Sequence, residues 1–172
     1  MSSIRIGNMF HSTAENADFF VTTNNVIKSN GTLTMGSGVA KESVTLWPEL
    51  PEVFGNHLKL NFKKGQRYYL IPPVKVTVPG NKFKSKYSWK VGGLQTKDHW
   101  RDDSPYDLIL ASLQHLNAYA VQNRDSNREI NCVMPGIGKG GLDFWLVAGL
   151  VYQVLDPINF WISLDYVRSM HV

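Results

Sequence analysis

Four glycines fall within six residues of "VMPGIGKGGLDFW" (133–145): Gly136, Gly138, Gly140 and Gly141. A second pair, Gly36 and Gly38, stands in "TMGSGVAKE" (34–42). A run with helical spacing follows each cluster. Glycine admits positive φ and lets backbone approach a ligand closely. The first N–H groups of a helix have no intrahelical acceptor and attract anions. A glycine loop leading into a helix therefore suits a phosphate. Two such loops on one rim suit the two phosphates of a pyrophosphate. The plainer reading of each loop is a tight turn that only joins a strand to a helix.

Gly136, Gly138 and Gly141 also satisfy the spacing G-x-G-x-x-G. Dinucleotide folds carry that motif after their first strand, whereas here one helix and one strand remain after it. Asp156 and Asp165 lie at distances that suit a ribose-binding acid, but the rest of such a half-domain is missing. The sequence G-x-x-x-x-G-K-[ST] occurs nowhere, which excludes a P-loop.

The elements that must position these loops alternate between strand and helix. "SIRIGNMF" (3–10) and "DFFVTTN" (18–24) read as strands. A helix is expected after Gly36 and Gly38, ending before Pro48, and a second in "PEVFGNHLKLNF". "QRYYLIPPV" (66–74) alternates as a strand and is expected to stop at Pro72–Pro73. Ser104 reads as an N-cap with Pro105 at the first helical position. It opens an amphipathic helix with Leu108, Leu113 and Leu116 on one face. "REINCVM" reads as a buried strand, "LDFWLVAGLVYQVLD" as a helix ended by Pro157, and "INFWISLDY" as a last strand. This order predicts a three-layer α/β/α domain with a mixed, largely parallel central sheet. Ligands of such sheets bind past the carboxyl ends of the strands, so both glycine loops should lie on one rim.

The chain has 172 residues, 43% hydrophobic and 19% charged, which predicts a single domain over 1–172 with a real core. No window approaches the roughly 18 apolar residues of a membrane span. "MSSIRIGNMF" lacks the apolar centre of a signal peptide. The single cysteine, Cys132, has no internal partner and lies in an apolar run, so it reads as a small buried hydrophobe. These features predict a cytoplasmic protein without membrane contact. The histidines at 11, 57, 99, 115 and 171 are scattered, and no H-x-x-x-H or C-x-x-C occurs. No metal site and no cofactor are expected.

The net charge is +4 with a pI near 9.2, and it is unevenly placed. Eleven lysines and arginines lie between 59 and 101, against one acid, Asp98. Clustered charge of one sign suits an anionic partner. The stretch 75–95 reads as a basic inserted hairpin or long loop. It mixes Lys82, Lys84, Lys86 and Lys90 with Phe83, Tyr87 and Trp89, a pattern that suits single-stranded nucleic acid. The plainer reading is a lysine-rich hairpin whose aromatics pack on the domain, and it is preferred slightly.

Three stretches in order, "MGSGVAKE" (35–42), "TKDHWRDDS" (96–104) and "MPGIGKGGLDFW" (134–145), resemble the macrodomain family, which binds ADP-ribose. "IGNMF" (6–10) is similar to that family's first strand. The likeness is greatest to the branch of the DarG antitoxin and the terminal ADP-ribose glycohydrolase, and it covers nearly the whole chain. It implies that Met35, Gly36, Ser37, Gly38 and Val39 wrap the phosphates and distal ribose. The second loop of the family matches Pro135, Gly136, Ile137, Gly138, Lys139, Gly140, Gly141 and Leu142. Asn8, followed by Met9, stands where many macrodomains have an Asp that contacts adenine. An amide can accept the same hydrogen bond without charge, so adenine preference is expected to be weaker. Asn24 and Asn25 both match the asparagine that touches the distal ribose, with Asn24 favoured; turn chemistry explains either.

In the glycohydrolase branch a lysine and an acid do the chemistry. The resemblance implies Lys97 and Asp143. A lysine in a cationic surrounding can become a nucleophile, and a carboxylate can move protons at the leaving atom. Against these stand a plain surface lysine and an acid that offsets a helix dipole. His99 reads as a hydrogen-bonding loop residue and Trp100 as pocket wall. The function implied is removal of ADP-ribose from a macromolecule, with DNA favoured over protein and contacted through 75–101. An ADP-ribose 1''-phosphate phosphatase and a non-catalytic ADP-ribose reader are the alternatives.

Overall fold

The computed structural model describes residues 1–80, 86–154 and 156–170. Six strands form one sheet: β1 (Ser3–Ile6), β2 (Asn16–Thr23), β3 (Leu70–Val76), β4 (Ser88–Gln95), β5 (Glu129–Val133) and β6 (Asn159–Ile162). Their order is β1-β6-β5-β2-β4-β3. Every neighbouring pair is parallel except β3 with β4. Five helices flank the sheet: α1 (Gly38–Leu46), α2 (Leu50–Asn61), α3 (Tyr106–Gln122), α4 (Phe144–Val151) and α5 (Leu164–Ser169).

Alternation along β2 divides the core between the two faces. Phe19 and Val21 pack with Trp47, Leu50, Phe54 and Leu58 on the side of α1 and α2. Phe20 packs with Ile109, Leu113 and Leu116 of α3 and Val147 of α4 on the other. A strand covered on both faces is apolar almost without interruption, and Ala17 to Val21 are all buried. The three-layer α/β/α reading holds.

Several boundaries differ from the sequence expectation. Pro72 and Pro73 lie inside β3, whose register with β4 shifts between Ile71 and Val74. β3 is an edge strand, where a bulge accommodates residues that cannot donate to a ladder. The stretch 75–95 does form an antiparallel hairpin arm, but its second half is no insertion: β4 pairs with β2 and β3 inside the sheet. The Gly92–Gly93 pair disguised it. A Cβ on Gly92 would stand 2.4 Å from the Ile71 carbonyl and 2.8 Å from the Phe20 ring. Trp89 is fully in the core and donates to the Ala14 carbonyl at 2.9 Å, and Tyr87 packs beside it. Tyr87 and Trp89 therefore build the domain, while Lys82, Phe83 and Lys84 lie outside the described residues. α3 starts at Tyr106 with Pro105 as its N-cap, so Ser104 does not cap it. "LDY" at 164–166 opens α5 rather than extending β6, with Ser163 accepting the Tyr166 N–H at 3.1 Å.

At the amino ends of the strands Arg128 ties three of them together. Its Nε donates to the buried Asp18 at 2.7 Å, and its Nη2 donates to the Ala17 and Ser88 carbonyls at 2.9 and 3.0 Å. Tyr119 of α3 donates to the other Asp18 oxygen. Among the described residues no helix is long and apolar enough to cross a membrane.

Candidate functional site

The carboxyl ends of all five parallel strands open into one cleft of about 570 Å³. Gly7 and Asn8 follow β1, Asn24 follows β2, Thr96 and Lys97 follow β4, Met134 follows β5, and Ser163 follows β6; all line it. This is the crevice that a parallel sheet leaves at its strand ends.

The two glycine loops form its walls. The first runs from Met35, which is buried, through exposed Gly36, Ser37 and Gly38 into α1. Ser37 is the N-cap residue but makes no side-chain cap bond. The first residues of α1 thus line the cleft, and its N-cap side chain accepts from none of their N–H groups. Gly38 stands at φ +59° with nothing within 4 Å of where a Cβ would be. Backbone there is accessible to a ligand. In the second wall Gly136 stands at φ +79°, and a Cβ on it would lie 2.8 Å from Leu142. Residues Gly138–Gly140 then make a single 3₁₀ turn before α4. Gly136, Ile137, Gly138, Lys139 and Gly140 line the cleft; Pro135, Gly141 and Leu142, expected to line it too, do not.

Lys97 is brought to the cleft. Its Nζ donates to the Lys139 carbonyl at 3.0 Å and, more weakly, to that of Trp100 at 3.5 Å. The turn that carries it is braced twice. Gln95, fully buried, donates to the Lys97 carbonyl at 3.2 Å while its Oε1 accepts the Tyr68 N–H at 2.9 Å. Arg67 grips both oxygens of Asp98 at 2.8 and 2.7 Å and one of Asp107 at 2.8 Å. The Asp98 and then the Asp107 hydrogen bonds raise the Arg67 pKa further. Trp100 walls the cleft while 46% exposed, with His99 stacked on it and the Arg101 guanidinium 4.6 Å from its ring centre.

Asp143 does not line the cleft. It is exposed and caps α4, its Oδ2 accepting the Leu146 N–H at 3.2 Å. Asn24 lines the cleft and Asn25 does not. The Asn24 side chain holds the loop, accepting from Val26 N and donating to the Thr34 carbonyl, both at 3.0 Å. Asn8 Oδ1 accepts the Phe10 N–H at 2.9 Å and keeps a second lone pair. Buried Met9 and half-buried Val39 also line the cleft. Sequence reasoning missed Trp161, Leu164 and Tyr166, which also line it, as does Asp165 but not Asp156. The signal was a serine, Ser163, three residues before the tyrosine whose N–H it caps. Among the described residues no cluster of His, Cys, Asp and Glu could hold a metal.

This arrangement is the macrodomain fold. The chain matches the macrodomain of Thermus aquaticus DarG over 94% of its own length and 99% of that chain, at 20% identity and a TM-score of 0.65. It matches Thermosipho africanus DarTG, solved in complex with ADP-ribose, at 21% identity and a TM-score of 0.68, covering 42% of that longer chain. The Oceanobacillus iheyensis macrodomain is similar at 14% identity and a TM-score of 0.62, over 99% of this chain and 88% of that one. No protein-family model matches the sequence, and no curated protein does.

Proposed function

We propose that the cleft binds ADP-ribose and that the protein removes ADP-ribose from a modified macromolecule, with DNA the favoured carrier. The observation that carries the reading is the pair of glycine loops facing each other past the strand ends, one of them the uncapped start of α1. Backbone N–H groups so placed suit a diphosphate. The adenosine then lies toward Asn8, Met9 and Tyr166, and the distal ribose toward Asn24 and Lys97. That DarTG of the same fold was solved with ADP-ribose supports ADP-ribose as the ligand.

Lys97 is the candidate nucleophile. As a free amine its lone pair adds to the anomeric carbon of the distal ribose. The bond to the carrier breaks, and the carrier atom leaves with the electron pair and a proton. The ring opens to a Schiff base, and water then releases ADP-ribose and restores the amine. Asp143 is the candidate proton donor; it follows the second loop directly, and its capping bond uses one of its two carboxylate oxygens. DNA is favoured because the exposed Trp100, with His99 stacked on it, puts an aromatic face and the Arg101 guanidinium beside Lys97. The position of Asp143 outside the lining favours one rival, a reader that binds ADP-ribose and cleaves nothing.

Calorimetric titration with ADP-ribose, with AMP and NAD as controls, tests the binding. Release from ADP-ribosylated DNA then tests turnover in the parent and in Lys97→Ala. Binding retained with turnover lost in Lys97→Ala supports the hydrolase. No heat with ADP-ribose overturns the binding reading, and binding without parent turnover leaves the reader.

A further inference from the structure

Ser104 lines the cleft while only 4% exposed. Its Oγ has no hydrogen-bond partner among the described residues. Four buried side-chain atoms are in that condition, and Ser104 Oγ is the one whose residue borders the cleft. Buried hydroxyls are almost always paired, and an orphan costs stability. The ordinary use of a serine before a helix is to cap it. Here Pro105 occupies the cap position, and α3 has no side-chain cap bond.

Two further observations place the hydroxyl beside Lys97 and the second glycine loop. The Ser104 N–H donates to the Gly140 carbonyl at 2.7 Å, and Lys97 Nζ donates to the preceding carbonyl, Lys139, at 3.0 Å. Ser104 and Lys97 are therefore held one peptide unit apart on the same wall. A Cβ on Gly140 would stand 2.7 Å from Ser104 Oγ, while the Gly140 backbone is not in the positive-φ region that calls for glycine. A methyl there would collide with the hydroxyl, so glycine at 140 is what lets the second loop close against Ser104. A hydroxyl offers one donor and two lone pairs, which matches a sugar hydroxyl, itself both donor and acceptor, better than an apolar group.

We infer that Ser104 contacts the distal ribose of the ligand, its Oγ hydrogen-bonding a sugar oxygen beside the carbon that Lys97 attacks. This rests on the ADP-ribose reading above. It assigns Ser104 to substrate recognition, at a cost to the empty protein.

The test compares ADP-ribose with ADP, which lacks the distal sugar, by calorimetry on the parent, Ser104→Ala and Ser104→Cys. Thermal melts of all three run beside it. ADP-ribose is expected to bind Ser104→Ala about tenfold more weakly, the loss of one neutral hydrogen bond. ADP should bind both alike, and the Ser104→Ala melting temperature should equal or exceed the parent's. Ser104→Cys, similar in size but a weak donor, should also discriminate against ADP-ribose. Unchanged ADP-ribose affinity overturns the inference, as does equal loss for both ligands. A markedly lowered melting temperature in both variants makes the hydroxyl structural and overturns it too. A parent that ignores ADP-ribose instead overturns the binding reading itself.

Discussion

Arg128→Met should destabilise the fold severely and leave the cleft alone. Asp18 is completely buried on β2, and Arg128 is 11% exposed in its side chain. The substitution removes the Nε bond to Asp18, the bond to Ser88 Oγ at 3.1 Å and two bonds to strand carbonyls. Asp18 would keep the Tyr119 hydroxyl. Burial first, and then the bond to Asp18, raises the Tyr119 pKa, so that phenol remains a donor at neutral pH. It brings no compensating charge. Leaving one member of a buried ion pair unmatched costs about 3–5 kcal/mol, a large share of the roughly 5–15 kcal/mol that a domain has. Urea unfolding should show the midpoint falling with the slope little changed. Asp18→Asn combined with Arg128→Met should recover part of the loss, because no charge is then stranded. The clasp lies at the amino ends of β2, β4 and β5, and the cleft lies at their carboxyl ends. ADP-ribose affinity of the folded fraction should therefore hold. A single-variant loss below about 1 kcal/mol would refute the reasoning, since the pair would then not be acting as a desolvated one.

Arg67→Ala should behave in the opposite way. Its partners Asp98 and Asp107 are exposed, so the melting temperature should scarcely move, but the Lys97 turn loses its brace and turnover should fall severalfold with binding kept. Asp143→Asn keeps a competent cap; turnover should drop without a change in melting temperature, and full turnover would remove Asp143 from the chemistry. Gly38→Ala places a methyl in open space at φ +59°, which costs about 1 kcal/mol of backbone strain and should weaken ADP-ribose binding more than it weakens the fold. Gly136→Ala should do the reverse, since its Cβ would meet Leu142 at 2.8 Å and Ile109 at 3.1 Å. Burial pushes the Cys132 thiol well above its ordinary pKa, so iodoacetamide should leave it untouched in the native protein and label it rapidly in urea.

The parts of the fold that were legible are those where one local rule acts alone. β2 and β5 are apolar at their centres but for the buried Asp18 and Asn131, because both their faces are covered. α3 shows its buried stripe from Leu108 to Ala120. The glycine loops were legible as candidates because strand ends and helix starts are places where backbone is free to meet a ligand. β4 was hidden because its glycines answer to the Phe20 ring and the Ile71 carbonyl, partners far away in sequence. Pro72–Pro73 misled because a strand's tolerance for proline depends on whether it is an edge, which only the sheet order decides.

Ser104 is a different kind of miss. The local rule made it a cap, and every requirement of that rule was present: a serine, then a proline, then a helix. The fold declines the cap and leaves the hydroxyl buried without a partner beside Lys97. Sites where sound local reasoning fails and nothing structural is gained are the expected places for function. The same logic separates Asn24 from Ser104. Both line the cleft, but the Asn24 side chain already satisfies the loop that it turns. Replacing Asn24 should therefore disturb the loop whether or not a ligand binds. Replacing Ser104 should cost the empty protein nothing.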